Sequence, residues 1–220
     1  MRASKKFNEA SEICENFNEV NILRTLVSYY RNRALDLEHE ISPTQEPEPV
    51  LKWPKKRSTA SELSEMLWGT DIQDRVFMAI TKIAIEIGQE GREGNKIGTA
   101  FVIGDSEKAM KSSRQLVLNP FQGHGRENRM VTNAETQDTI KEFAQLDGIF
   151  IVSGDGAVEA AGRYITIDTG IVKLQRGLGT RHSSVAAITM ATRSLGVVVS
   201  QSGGVIRIFK EGKIVTTVKS

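Results

Sequence analysis

Among its 220 residues the chain has one cysteine, Cys14, and three histidines, His39, His124 and His182. A lone thiol forms no disulfide within the chain, which fits an intracellular, cytoplasmic address. With no Cys/His pattern of metal-site spacing, a zinc enzyme is not expected. Charge of one sign is missing too: 29 Lys and Arg against 27 Asp and Glu leave a formal net charge of +2. That total argues for no nucleic-acid partner, which would need local clustering of cations. Nowhere is there the run of about 18–20 apolar residues that a membrane span requires. The first residues, MRASKKFNEASE, lack the apolar core of a signal peptide. No membrane partner is expected.

What is present is the composition of a soluble globular protein, 39% hydrophobic and 25% charged. Of the five prolines, Pro43, Pro47, Pro49 and Pro54 fall within residues 42–57. Proline fixes φ and removes an amide donor, so this stretch is expected to be an extended linker. It separates an N-terminal segment, residues 1–41, from a main domain over residues 58–220. In the segment, apolar side chains recur at Ala10, Ile13, Phe17, Val20, Leu23, Val27, Tyr30, Ala34, Leu37 and Ile41, always three or four apart. This spacing predicts one amphipathic helix, or two. A lone amphipathic helix cannot bury its stripe, so it is expected to dock on the main domain or on another chain.

Past the linker, Ile72, Val76, Ile80, Ile83, Ala84 and Ile87 mark one helical face, with Thr70 or Asp71 as the candidate cap and GQEGREGNK as the stop. GTAFVIGD reads as a buried strand, and QLVL at 115–118 as a short one. ETQDTIKEFAQL predicts a helix, as does HSSVAAITMATRSL. IFIVS, AVEAAG, GVVVS, VIRIF and IVTTV predict strands. The fold class is therefore α/β of the α+β type: a central mixed β-sheet flanked by helices, behind an N-terminal helical segment.

Two stretches carry candidate chemistry. RGLGTRHSSVAAI, residues 176–188, is a glycine loop running into a helix that is expected to begin near His182. Unpaired N–H groups and the positive dipole end make such a junction suited to phosphate, with Thr180, Arg181 and His182 adding donors. The plain alternative is a glycine loop with a surface arginine and a capping hydroxyl, because neither a Walker loop nor a dinucleotide fingerprint is present. LDGIFIVSGDGAV, residues 146–158, contains Asp-Gly twice. Asp155-Gly156 lies between two β-type runs and reads as hairpin-turn chemistry. Asp147-Gly148 stands between a helix and a strand, where a carboxylate can face a cleft and Gly148 can let a ligand approach the backbone. The residues favour Asp147 as the functional aspartate and leave Asp155 open.

Residues from about 72 to 215 resemble the diadenylate cyclase catalytic domain. LDGIFIV is similar to the family's Asp-Gly-Ala motif and LGTRHSSVAAI to its Gly-Thr-Arg-His-Arg motif; EAAGRYI and VVVSQSGGVIRIF follow the family in order. The resemblance places Asp147 on the family aspartate and makes Asp155 a hairpin decoy. Three positions depart from it. Ile149 replaces the alanine, adding bulk beside the site, and Ser183 replaces the second arginine, removing a charge. Gln201 and Ser202 stand where many members have an acidic residue.

The resemblance implies two ATP molecules joined into cyclic di-AMP, each 3′-hydroxyl attacking the other's α-phosphate and releasing pyrophosphate. It implies catalytic roles for Asp147, Gly148, Arg181 and His182, with Asp147 also binding a divalent metal, Mg²⁺ or Mn²⁺. ATP would be bound by Gly179, Thr180, Arg181, His182 and Ser183, by Tyr164 and Ile165 near the adenine, and by Ser200 near the phosphates. One domain offers one ATP, so a face-to-face homodimer or larger homo-oligomer is implied, and residues 8–41 are expected to control that assembly. Two other readings are a catalytically degenerate nucleotide-binding module on the same fold, and a structural or nucleic-acid partner protein using WPKKR at 53–57. His124 reads as a loop or surface histidine.

Overall fold

A computed structural model describes residues 59–91, 95–174 and 177–218. The N-terminal helical segment and the Pro-rich linker lie outside these residues. Ser61–Ser220 is one compact unit. Its helices are α1 (Thr59–Leu67), α2 (Asp74–Glu90), α3 (Ser106–Lys111), α4 (Ala134–Phe143) and α5 (Thr180–Ala191). Its strands are β1 (Thr99–Ile103), β2 (Ser113–Gln115), β3 (Ile149–Val152), β4 (Val158–Ile165), β5 (Leu195–Val199), β6 (Ile206–Lys210) and β7 (Lys213–Val218). They form one seven-stranded sheet in the order β2-β4-β3-β1-β5-β6-β7. Only β1 and β3 pair in parallel, so the sheet is mixed and the expected fold class holds.

β1, β3 and β5 are buried at every position, as strands covered on both faces must be. Successive side chains alternate between the two layers. Ala100, Val102, Ile149, Ile151 and Val198 meet Val185, Ala186 and Ile188 of α5 on one face. On the other, Phe101 stacks on Phe150 with centroids 5.1 Å apart, and Phe121 joins Phe150 to Phe143 of α4. α2 packs beside α4 through Lys141, whose Nζ lies 3.1 Å from a Glu86 oxygen. Lys210 closes the C-terminus of α1, its Nζ donating to the carbonyls of Met66 at 3.0 Å and Trp68 at 2.8 Å.

Several local expectations are corrected. Neither Thr70 nor Asp71 caps α2; Gln73 holds that position without a side-chain bond. Asp71 instead accepts from the backbone N–H of Asp105 at 3.0 Å, fastening the chain before α2 to the β1–α3 turn. The QLVL run is not the strand. β2 is Ser113–Gln115, paired with Arg163–Ile165, and Leu116, Val117 and Leu118 run out along the edge of the sheet. α3 has no counterpart in the sequence reading, because six residues with one buried side chain, Ala109, show no periodicity.

Candidate functional site

α5 begins at Thr180, two residues before the expected start, so Thr180, Arg181 and His182 form its first turn. Its N-cap is Gly179, which contributes no side-chain bond. The capping-hydroxyl alternative therefore fails, and the backbone N–H groups of Thr180 and Arg181 stay available to an anion. A Cβ at Gly177 or Gly179 would meet no atom of the chain within 4 Å, so the space beside this loop is open.

That loop forms one wall of a cleft of about 760 Å³, a volume within the range of small-molecule sites. Asp147, Gly148, Tyr164, Ile165, Gly179, Thr180, Arg181, His182 and Ser200 all line it, so the fold brings together nearly every residue singled out from the sequence. Ser183 is the exception. Ser184 lines the cleft in its place, because residues four apart share a helix face and Ser184 stands four after Thr180. Arg163, Leu116, Gln201 and Ser202 line the cleft as well.

The two aspartates lie beyond opposite ends of β3. Asp147 precedes it with its side chain 92% exposed, 3.8 Å from Arg181. Asp155 follows it in the turn to β4 and is consumed by structure: Arg126 Nη2 donates to its oxygens at 2.6 and 2.7 Å, and Ser153 Oγ at 2.6 Å. These bonds, Arg126 foremost, hold its pKa below the ordinary carboxylate value. The space around Gly148 is also occupied by the fold. Its φ is +98°, and a Cβ there would lie 2.7 Å from the backbone N and O of Arg163. The glycine admits β4 rather than a ligand. Ile149, expected to add bulk beside the site, is 2% exposed and packs into the α5-facing core. Asp147 lies before β3 begins, so the strand's alternation does not extend to it and nearness in sequence does not place the Ile149 side chain in the cleft.

Two arginines reach the cleft, in different states. Arg163 is committed, donating to the carbonyls of Met110 at 2.8 Å and Ser113 at 2.6 Å and to Ser113 Oγ at 3.0 Å. Arg181 lies across the start of β1, where a Cβ on Gly98 would come 3.0 Å from its Nη1. Burial lowers its pKa and Asp147 opposes that shift, but a guanidinium stays charged. His182 is 6% exposed, its ring edge-on to Phe209 at 6.2 Å, and its Nε2 has no hydrogen-bond partner among the described residues. Burial first, then Arg207 and Arg181, push its pKa down to about 4. At neutral pH the imidazole is uncharged, and its unpartnered Nε2 is buried.

This has a consequence for stability. Between pH about 4 and the ordinary value of 6.5 the unfolded chain holds a proton that folded His182 refuses. Stability therefore rises with pH through that window, is full above it, and falls as the pH drops. The contribution is ~3 kcal/mol at most. Urea midpoints of wild type should be lower at pH 4.5 than at pH 7, and His182→Gln should narrow the gap. An equal gap in the variant would show that His182 does not contribute.

Among the described residues there is no group of three or more His, Cys, Asp and Glu side chains that could cage a metal, and no helix is long and apolar enough to cross a membrane. Asp147 is a single exposed carboxylate, and Ser200, Gln201 and Ser202 supply hydroxyl and amide oxygens to the lining of the same cleft. Such a set fits Mg²⁺ or Mn²⁺, hard cations that take one or two carboxylates and fill their remaining positions with water and substrate phosphate.

An α+β domain with a cationic cleft at a helix N-terminus is the class this site defines. The family described as DAC, DisA bacterial checkpoint controller nucleotide-binding, matches residues 86–214. A diadenylate cyclase of Methanocaldococcus jannaschii is 46% identical over 160 residues, which cover 73% of this chain and 50% of that protein. A diadenylate cyclase of Haloferax volcanii is 31% identical over 170 residues, covering 77% of this chain and 62% of that one. The chain belongs to the diadenylate cyclase family, and its match spans half of the first relative and about three-fifths of the second. A solved structure of DacA from Staphylococcus aureus, a double mutant, is 19% identical with a TM-score of 0.47, covering 67% of this chain and 88% of that one.

Proposed function

We propose that this protein is a diadenylate cyclase, a nucleotidyltransferase that condenses two ATP molecules into cyclic di-AMP and two pyrophosphates inside the cell. The observation that carries the reading is the α5 N-terminus. Its N–H groups and Arg181 lie at the wall of a cleft that also holds one exposed carboxylate, Asp147.

In each half-reaction a ribose 3′-oxygen forms a bond to the α-phosphorus of the other ATP. The bond from that phosphorus to the bridging oxygen of the β-phosphate breaks, and pyrophosphate leaves with the electron pair. The 3′-hydroxyl proton passes to Asp147 or through it to water. Phosphoryl-type transfer depends on positioning and charge stabilisation more than on covalent help from the protein. Thr180 and the first N–H groups of α5 hold the triphosphate, and Arg181 meets the negative charge that grows on it. Neutral His182 lines the cleft without adding a third cation beside Arg181 and Arg207. Tyr164, half-exposed on β4, borders the adenine end. A divalent cation held by Asp147 and the phosphates would neutralise charge on the leaving pyrophosphate. Each cleft holds one ATP, so two copies act together.

Incubation with ATP and Mg²⁺ or Mn²⁺, resolved by chromatography, should yield cyclic di-AMP and pyrophosphate in a 1:2 ratio set by the chemistry. ATP binding without product would instead favour a binding module on the same fold.

A further inference from the structure

Beneath the first turn of α5 the sheet sets an arginine among apolar side chains. Paired residues of adjacent strands share a face of the sheet. Ala100, Val198, Arg207 and Thr217 therefore form one row, from β1 through β5 and β6 to β7. Ala100 and Val198 pack against α5 on that face, and so does Phe209, two residues after Arg207 on the same strand. Arg207 is half-buried, with its Nε shielded from solvent. A guanidinium in such a place costs desolvation that an aliphatic side chain would not.

The course of α5 shows what lies over this charge. Val185 and Thr189 sit against Gly196, where an added Cβ would meet both. His182, nearer the helix start, is edge-on to Phe209 at 6.2 Å. Phe209 pairs with Gly196 and Arg207 with Val198, and Val198 lines the cleft. Arg207 is thus the next residue on that face toward the cleft. The β5–β6 turn that carries Ser200, Gln201 and Ser202 closes with Ser200 N donating to Val205 O at 2.8 Å, so Arg207 follows directly behind that rim. Burial lowers the His182 pKa most, and Arg207 then lowers it more than Arg181, its neighbour in the chain. Cations from two different elements therefore flank one ring, and they repel each other until an anion joins them.

We propose that Arg207 is a positioning residue of the nucleotide site, a second fixed cation that draws the triphosphate onto the α5 N-terminus from the sheet below. The proposal rests on the reading of the cleft as a nucleotide site. The first turn of α5, Thr180–Ser183, carries a single fixed cation of its own, Arg181. A charge set back in the sheet reaches the phosphates through a medium of low dielectric, where it is felt beyond contact distance. It does nothing for an uncharged nucleoside.

Titration of Arg207→Gln in the full chain with a non-hydrolysable ATP analogue and with adenosine, at one Mg²⁺ concentration, tests this. Analogue affinity should fall about tenfold, while adenosine affinity stays within about twofold of wild type. Partial unfolding would weaken both ligands equally, so the ratio of the two affinities carries the result. Arg207→Lys keeps the charge and should restore analogue affinity to within about threefold. Lys213→Gln removes an equal charge at the opposite end of the β6–β7 hairpin, where Lys213 pairs with Lys210, and should leave both affinities unchanged. An equal loss for analogue and adenosine would overturn the proposal and make Arg207 a packing residue. Unchanged analogue affinity, or an equal effect of Lys213→Gln, would overturn it too. If the analogue binds with this charge dependence and wild type still forms no cyclic product, Arg207 keeps its role and the cyclase reading fails.

Discussion

Asp147→Asn should lower cyclic di-AMP formation by ~10²-fold or more, whereas Asp155→Asn should leave turnover within a few-fold of wild type. The two residues share the Asp-Gly sequence and differ in what the fold leaves them free to do. Asp147 is 92% exposed at the cleft with Arg181 3.8 Å away, so its oxygens are free for a substrate hydroxyl or a cation. Asparagine keeps the shape and removes the charge and the proton acceptor. Asp155 is engaged by Arg126 and Ser153 beyond the far end of β3. Replacing it loosens an ion pair that is about half exposed, worth about 1 kcal/mol or less. Rates for the two variants, measured with saturating ATP, decide the assignment. A comparable loss in both would mean that Asp155 is not merely a turn residue, and full activity in Asp147→Asn would remove it from the mechanism.

Gly148→Ala should destabilise the domain by ~3–4 kcal/mol, combining a left-handed φ that costs about 1–2 kcal/mol with an overlap that costs about 1–3 kcal/mol. The added methyl would lie 2.7 Å from Arg163 N and O and from Gly162 C, all backbone atoms of β4 that no rotamer change can move. At roughly 2–4 °C per kcal/mol for a domain of this size, the melting midpoint should drop by about 10 °C. Gly179→Ala is the matched control. Its Cβ meets nothing within 4 Å, so the fold should tolerate it, while the methyl enters the space read as the phosphate site and should raise the KM for ATP. Calorimetry on both variants separates the two kinds of glycine. A Gly148→Ala midpoint within about 2 °C of wild type would mean that β4 shifts to make room.

The core strands were legible because β1, β3 and β5 are short apolar runs buried on both faces, and α2 because its apolar side chains recur at helical spacing. The candidate site was legible in its first turn, since a glycine loop entering a helix announces free N–H groups whatever surrounds it. Less readable were features set by a neighbour. QLVL looks like a strand by composition, yet the ladder with β4 covers Ser113–Gln115 and the chain then follows Asn119 along the sheet edge. Ile149 and Ser183 looked like changes at the site, but the strand pleat sends Ile149 into the core and Ser184 takes the cleft face of α5.

By itself, the sequence determined that this is a mixed α+β domain of the diadenylate cyclase family, and that Asp147, Thr180, Arg181 and His182 are the residues to examine. The fold class and the helix end are properties of local pattern, where burial fixes periodicity and unpaired backbone groups fix the chemistry of a helix end. The family and the choice of Asp147 came instead from the resemblance of the chain's motifs. Tertiary structure alone decided that Asp147 meets Arg181, 34 positions later in the chain, that His182 is buried and neutral, and that Gly148 serves β4. The reason is that charge, protonation and close approach depend on which strands and helices lie side by side, and that order comes from long-range pairing across the sheet.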